Sequence, residues 1–99
     1  QATIDCRDSE GKTPLLHACT GPFAETVSVL IAAGADVNAK ESTEAFTPLM
    51  MAAGLGEKEV VEILLAHKAD ADLLDDDGDS ALQHAKNSGH TEIVQLLSK

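Results

Sequence analysis

Thr13-Pro14-Leu15-Leu16-His17-Ala18 returns 34 residues later as Thr47-Pro48-Leu49-Met50-Met51-Ala52, and 33 residues beyond that as Ser80-Ala81-Leu82-Gln83-His84-Ala85. The register holds downstream. Val27-Ser28-Val29-Leu30 falls on Val61-Glu62-Ile63-Leu64 and Val94-Gln95-Leu96-Leu97, while Gly34-Ala35-Asp36-Val37-Asn38 falls on Lys68-Ala69-Asp70-Ala71-Asp72. A fixed period of this size is the signature of a repeat architecture.

Each copy reads as two helices. Thr13, Thr47 and Ser80 carry hydroxyls that can accept from orphan N–H groups at a helix start, and Pro14 and Pro48 follow where proline's missing donor does no harm. The first helices are expected to run to about Thr20, Gly54 and Ser88, before turns at Gly21-Pro22, Gly56 and Gly89. The second helices open with Glu25, Glu57 with Glu59, and Glu92, which suit the positive end of the helix dipole. Gly34 suits the left-handed residue after such a helix, and Lys68 is expected to adopt the same backbone. Stretches 36–46 and 70–79 read as extended arms or hairpins. A unit of this kind buries its apolar face only against neighbours. The expected columns are Leu15, Leu49, Leu82; Ala18, Ala52, Ala85; Val27, Val61, Val94; and Leu30, Leu64, Leu97.

The Thr-Pro-Leu starts and the Gly-Ala-Asp-Val-Asn end resemble the ankyrin repeat, over nearly the whole chain. The resemblance implies one domain over residues 1–99: an all-α solenoid of three helix-turn-helix pairs with short β-hairpin-like arms. Its repeats fall at about 8–40, 41–74 and 75–99, with 1–7 as the tail of a preceding repeat, Ile4-Asp5 lying where Val37-Asn38 lies. The chain departs from the family in places. The family's His after Thr-Pro-Leu is replaced by Leu16, Met50 and Gln83, which implies looser hairpins. Asp36 to Thr47 spans 11 steps against 10 from Asp70 to Ser80, and Ala45 stands where the family has a hairpin glycine. In the third copy Lys86 and Ser98 replace apolar residues and the polar Gln95 joins them, as suits a terminal repeat. Leu16, Val29 and Ile31 show no such replacement, so the chain is expected to be the last part of a longer array with an uncapped N-terminal side.

Composition agrees. The 99 residues are 43% hydrophobic with two Phe, no Tyr and no Trp, so the core is aliphatic and suits closely packed helices. The net charge of −10 disfavours nucleic acid and suits a partner with a basic surface. The longest apolar stretch, Leu49 to Leu55, is interrupted by Gly54 and too short to span a bilayer. Cys6 and Cys19 read as free thiols in a reducing, intracellular compartment, cytoplasmic or nuclear; an exported protein could bridge them.

Asp75-Asp76-Asp77-Gly78-Asp79 superficially looks like a calcium loop. Counted from Asp75, however, the glycine and glutamate of the EF-hand template are Ser80 and Lys86. An acidic hairpin tip is the better reading. His17 and His84 lie two repeats apart, too far to share a metal, and His67 and His90 read as helix-end residues. His17 and Cys19 are two apart on a helix and point in different directions. No phosphate loop, nucleophile triad or dinucleotide fingerprint is present. No enzyme activity, metal or cofactor is therefore expected. The resemblance implies protein binding by a monomer through a concave face, or else a regulatory segment of a larger enzyme or channel. Its variable positions fall on Ser9, Glu10 and Lys12; on Thr43, Glu44 and Phe46; and on Asp76, Asp77 and Asp79. The inner-helix ends add Thr20, Gly21, Gly54, Leu55, Asn87 and Ser88. Phe46 and Leu55 are apolar where exposure is expected, and each either anchors a partner or packs locally beneath the longer arm.

Overall fold

Each helix pair begins at a hydroxyl. In the computed structural model of the chain, which describes residues 7–9 and 11–98, the side chains of Thr13, Thr47 and Ser80 accept from the backbone N–H groups of Leu16, Met50 and Gln83 at 3.2–3.3 Å. The inner helices that follow are α1 (Pro14–Ala18), α3 (Pro48–Leu55) and α5 (Ala81–Ser88). The last two stop at Gly56 and Gly89, whose φ angles of 81° and 77° are left-handed. α1 ends two residues short of Thr20, where the last turn tightens and both the N–H and the hydroxyl of Thr20 donate to His17 O.

The outer helices are α2 (Ala24–Ala32), α4 (Lys58–Ala66) and α6 (Thr91–Leu97). Phe23, Glu57 and His90 stand at their N-caps without a side-chain cap bond, and Glu25, Glu59 and Glu92 sit in the first turns, where the dipole favours them. α2 and α4 end alike. Gly34 and Lys68 donate to Ile31 O and Leu65 O, and Ala35 and Ala69 donate to Leu30 O and Leu64 O, all at 3.0 Å. This double closure needs a left-handed residue. Gly34 adopts it at φ 101°, and Lys68 adopts it at φ 68° despite its β-carbon.

The six described helices stack as three pairs, with α3 packed between α1 and α5 and α4 between α2 and α6. The expected columns form the core: Leu15, Leu49, Val27, Val61, Leu64, Ala52 and Ala85 are enclosed, Ala18 is buried at 7% exposure, and Leu30 packs against them half-buried. Each enclosed leucine or valine contributes about 1.5–3 kcal/mol relative to exposure. In the third pair Leu82, Val94 and Leu97 are only half-buried and Lys86, Gln95 and Ser98 are exposed, so the stack meets water there through polar side chains. The arms are turns, and no strand occurs among the described residues. No described helix is long and apolar enough to cross a membrane.

Candidate partner-binding face

The arms are built around buried or tethered carboxylates. In the third arm Asp75 and Asp79 pair through Asp75 N–H to Asp79 O (3.0 Å), and Gly78 N–H closes the turn on Asp75 O. Asp75 Oδ1 accepts the N–H groups of Asp77 and Asp79 at 2.9 Å, and Oδ2 lies 2.8 Å from His84 Nε2. The first arm repeats this plan: Lys12 N–H donates to Asp8 Oδ1, and His17 Nε2 lies 2.7 Å from Asp8 Oδ2. The expectation of loose hairpins is therefore corrected. The imidazole missing after Thr-Pro-Leu is replaced by one a position later, and this His ties the arm in the first and third pairs.

The second arm solves the same problem differently. It has one residue more, and Met51 occupies the histidine position. Glu41, one methylene longer than aspartate, reaches across the wider turn; its carboxylate accepts from the Thr43 hydroxyl and from the N–H groups of Glu44 (2.5 Å) and Phe46 (3.4 Å). Ala45 lies in the left-handed region at φ 63°. Burial pushes the carboxyls of Glu41 and Asp75 up, but the bonds each accepts outweigh it, so both stay below the usual carboxylate range.

Contacts run from arm to arm. Arg7 donates to Lys40 O, and Lys40, the next residue in that column, donates to Leu74 O. Asp70 N–H donates to Asn38 Oδ1, and Asp76 N–H to Glu44 O. The arms thus form one connected edge.

On this edge Ser9, Thr43, Glu44, Asp76 and Asp77 are exposed, and Lys12 and Asp79 are half-buried; Glu10 lies outside the described residues. Among the described residues, Glu44, Asp76 and Asp77 pair with no lysine or arginine. At the inner-helix ends Thr20, Asn87 and Ser88 are exposed, Gly54 is half-buried, and Gly21 is covered by the Phe23 ring. Phe46 and Leu55 part company. Leu55 is 52% exposed, whereas Phe46 is half-buried with its ring edge-on to His84, centroids 5.1 Å apart. Phe46 therefore packs locally. The exposed Leu74 escaped sequence reasoning; its signal was an apolar residue in the column of Arg7 and Lys40.

Asp75, Asp79 and His84 bring one possible ligand atom each within 4.8 Å of one another, but both Asp75 oxygens already serve the arm. Cys19 is enclosed and its thiol is pushed up to about 12, so it is no nucleophile; Cys6 lies outside the described residues.

The family profile described as "Ankyrin repeats (3 copies)" matches residues 1–75 and, overlapping, 23–99. The chain belongs to the ankyrin-repeat family. Among its relatives are the putative E3 ubiquitin-protein ligase XBAT35 of Arabidopsis thaliana, 36% identical over 97% of this chain and 21% of that protein, and the probable E3 ubiquitin-protein ligase XBOS34 of Oryza sativa subsp. japonica, 38% identical over 97% and 19%. The ankyrin repeat and KH domain-containing protein mask-1 of Caenorhabditis elegans is 35% identical over 91% of this chain and 3% of its own length. The chain thus spans about a fifth of the first two relatives. Ankyrin repeats are, in general, protein-interaction modules, and this chain is such a repeat region.

Proposed function

We propose that the chain is a non-catalytic binding module that holds a protein with a basic surface against the arm edge and the inner-helix ends. The observation that carries this reading is the row of exposed carboxylates at Glu44, Asp76 and Asp77, without cationic partners among the described residues, on arms already joined by hydrogen bonds. A pre-ordered edge loses little conformational freedom on docking. Ser9, Glu10, Lys12, Thr43 and Asp79 extend the edge, and Thr20, Leu55, Asn87 and Ser88 complete the face. Leu55 supplies its apolar contact; Phe46 acts from beneath, by supporting the third pair through His84. The relatives' greater length favours a second reading, in which the same face holds a neighbouring domain of a larger protein.

The test is affinity capture with the chain and with a Glu44→Gln/Asp76→Asn/Asp77→Asn variant, followed by direct binding of each retained protein. Retention of basic proteins by the parent and their loss from the variant is the expected result. Equal retention by both overturns the assignment of this face.

A further inference from the structure

We propose that the third arm and α5 together form a binding site for a divalent transition-metal ion of the zinc class, ligated by Asp75 Oδ2, His84 Nε2 and the Asp79 carboxylate. One possible ligand atom from each lies within 4.8 Å of the other two, and among the described residues no other three histidines, cysteines or acids meet in this way. Backbone pairing brings the two aspartates together: Asp75 N–H donates to Asp79 O, and Asp79 N–H returns to Asp75 Oδ1. His84 comes from the start of α5, beyond the arm. Imidazole combined with carboxylate suits zinc and its neighbours, whereas calcium takes oxygen ligands alone.

The two oxygens of Asp75 have separate tasks. Oδ1 accepts the N–H groups of Asp77 and Asp79 at 2.9 Å and fixes the plane of the carboxylate, as outer hydrogen bonds orient a metal ligand. Oδ2 has one contact, His84 Nε2 at 2.8 Å. Ligand atoms around a tetrahedral zinc ion stand about 3.3 Å apart, given bonds of about 2.0–2.2 Å. An ion between Oδ2 and Nε2 therefore opens that contact by only roughly 0.5 Å. One hydrogen bond is exchanged for two ligand bonds, and the arm keeps its own. The Asp79 carboxylate makes no hydrogen bond or ion pair among the described residues, so it can turn onto the ion without cost to the arm. Asp79 and His84 are half-buried, which leaves room for water to complete the coordination. Charge points the same way. Asp75, Asp76, Asp77 and Asp79 pair with no lysine or arginine among the described residues, and clustered charge of one sign raises the local concentration of counter-ions. The other arms lack the third ligand: Asp8 and His17 stand 2.7 Å apart, but Lys12 occupies the place of Asp79, and Met51 occupies the histidine position of the second arm.

The test titrates the chelator-stripped chain with Zn²⁺ by calorimetry near neutral pH and follows Co²⁺ by its visible absorption, in the parent and in Asp79→Asn, His84→Gln and His17→Gln. The parent is expected to bind one ion at saturation, and equal concentrations of Ca²⁺ should not displace it. Asp79→Asn and His84→Gln should each weaken Zn²⁺ roughly tenfold or more, the scale on which even an outer-shell partner acts, while His17→Gln leaves it unchanged. Zn²⁺ should also raise the urea midpoint of the parent more than that of Asp79→Asn, because an ion that binds the folded chain stabilises it by mass action. Without metal the two midpoints should agree, since Asp79→Asn removes no hydrogen bond of the arm. No saturable binding overturns the proposal, as does binding that survives Asp79→Asn or that falls with His17→Gln as far as with His84→Gln. Displacement by Ca²⁺ overturns it too, because attraction to the acidic tip would then suffice. None of these results depends on the arm edge binding a partner.

Discussion

Replacing Ala45 by glycine should stabilise the protein. Among the described residues Ala45 is one of two non-glycine residues with positive φ, at 63°, in the arm that is one residue longer than its successor. A β-carbon in the left-handed region costs about 1–2 kcal/mol. Glycine's greater freedom in the unfolded chain returns about 0.4–1 kcal/mol of that. The net gain is then roughly 0.5–1 kcal/mol, or about 2–8 °C in Tm for a domain of this size. Lys68→Gly should gain less, since the lysine charge at the end of α4 is itself favourable by about 0.3–1 kcal/mol. Gly34→Ala is the reciprocal control: its φ is 101° and a β-carbon there meets nothing within 4 Å, so only the backbone is perturbed and the midpoint should fall. Urea and thermal melts followed by far-UV circular dichroism read all three. A clear loss of stability in Ala45→Gly would show that the methyl group makes a contact worth more than the strain.

Thr47→Ala removes a buried cap and should cost about 1 kcal/mol, within the range of about 0.5–2 for such losses; equilibrium unfolding checks it. Asp75 is held below its ordinary value in the fold, so its ionised form adds stability above the unfolded value of about 3.9, lost as pH falls through the folded one. The stability gap between the protein and Asp75→Asn should accordingly be full at neutral pH and close in acid, as urea midpoints across pH would show. Cys19, with its thiol raised to about 12, should resist alkylation until the stack opens; peptide mapping after iodoacetamide treatment in rising urea should show its labelling track unfolding.

The repeat register, the hydroxyl caps and the left-handed ends at Gly34 and Lys68 were legible because each rests on a local rule repeated at a fixed offset. The arm chemistry was only partly so. Asp8 to His17 and Asp75 to His84 share a nine-residue spacing that was present in the sequence, yet the family's usual histidine position drew attention one residue too early. Glu41 could not be read as the second arm's counterpart because its longer side chain compensates for an inserted residue, which only the turn geometry reveals. The choice between Phe46 and Leu55 as an exposed anchor was open for a related reason. It depends on His84, 38 positions away in sequence from Phe46 and adjacent to it in space.

Binding kinetics at low and high salt test the central claim most directly, using a basic protein retained in the capture experiment and the Glu44→Gln/Asp76→Asn/Asp77→Asn and Leu55→Ala variants. Exposed charges act over about 8 Å at physiological ionic strength, so the triple variant should slow association at low salt and matter little at high salt. Leu55→Ala should speed dissociation at both. If both variants bind with the parent's rates under all conditions, the partner sits elsewhere on the stack and the arm edge is not the recognition face.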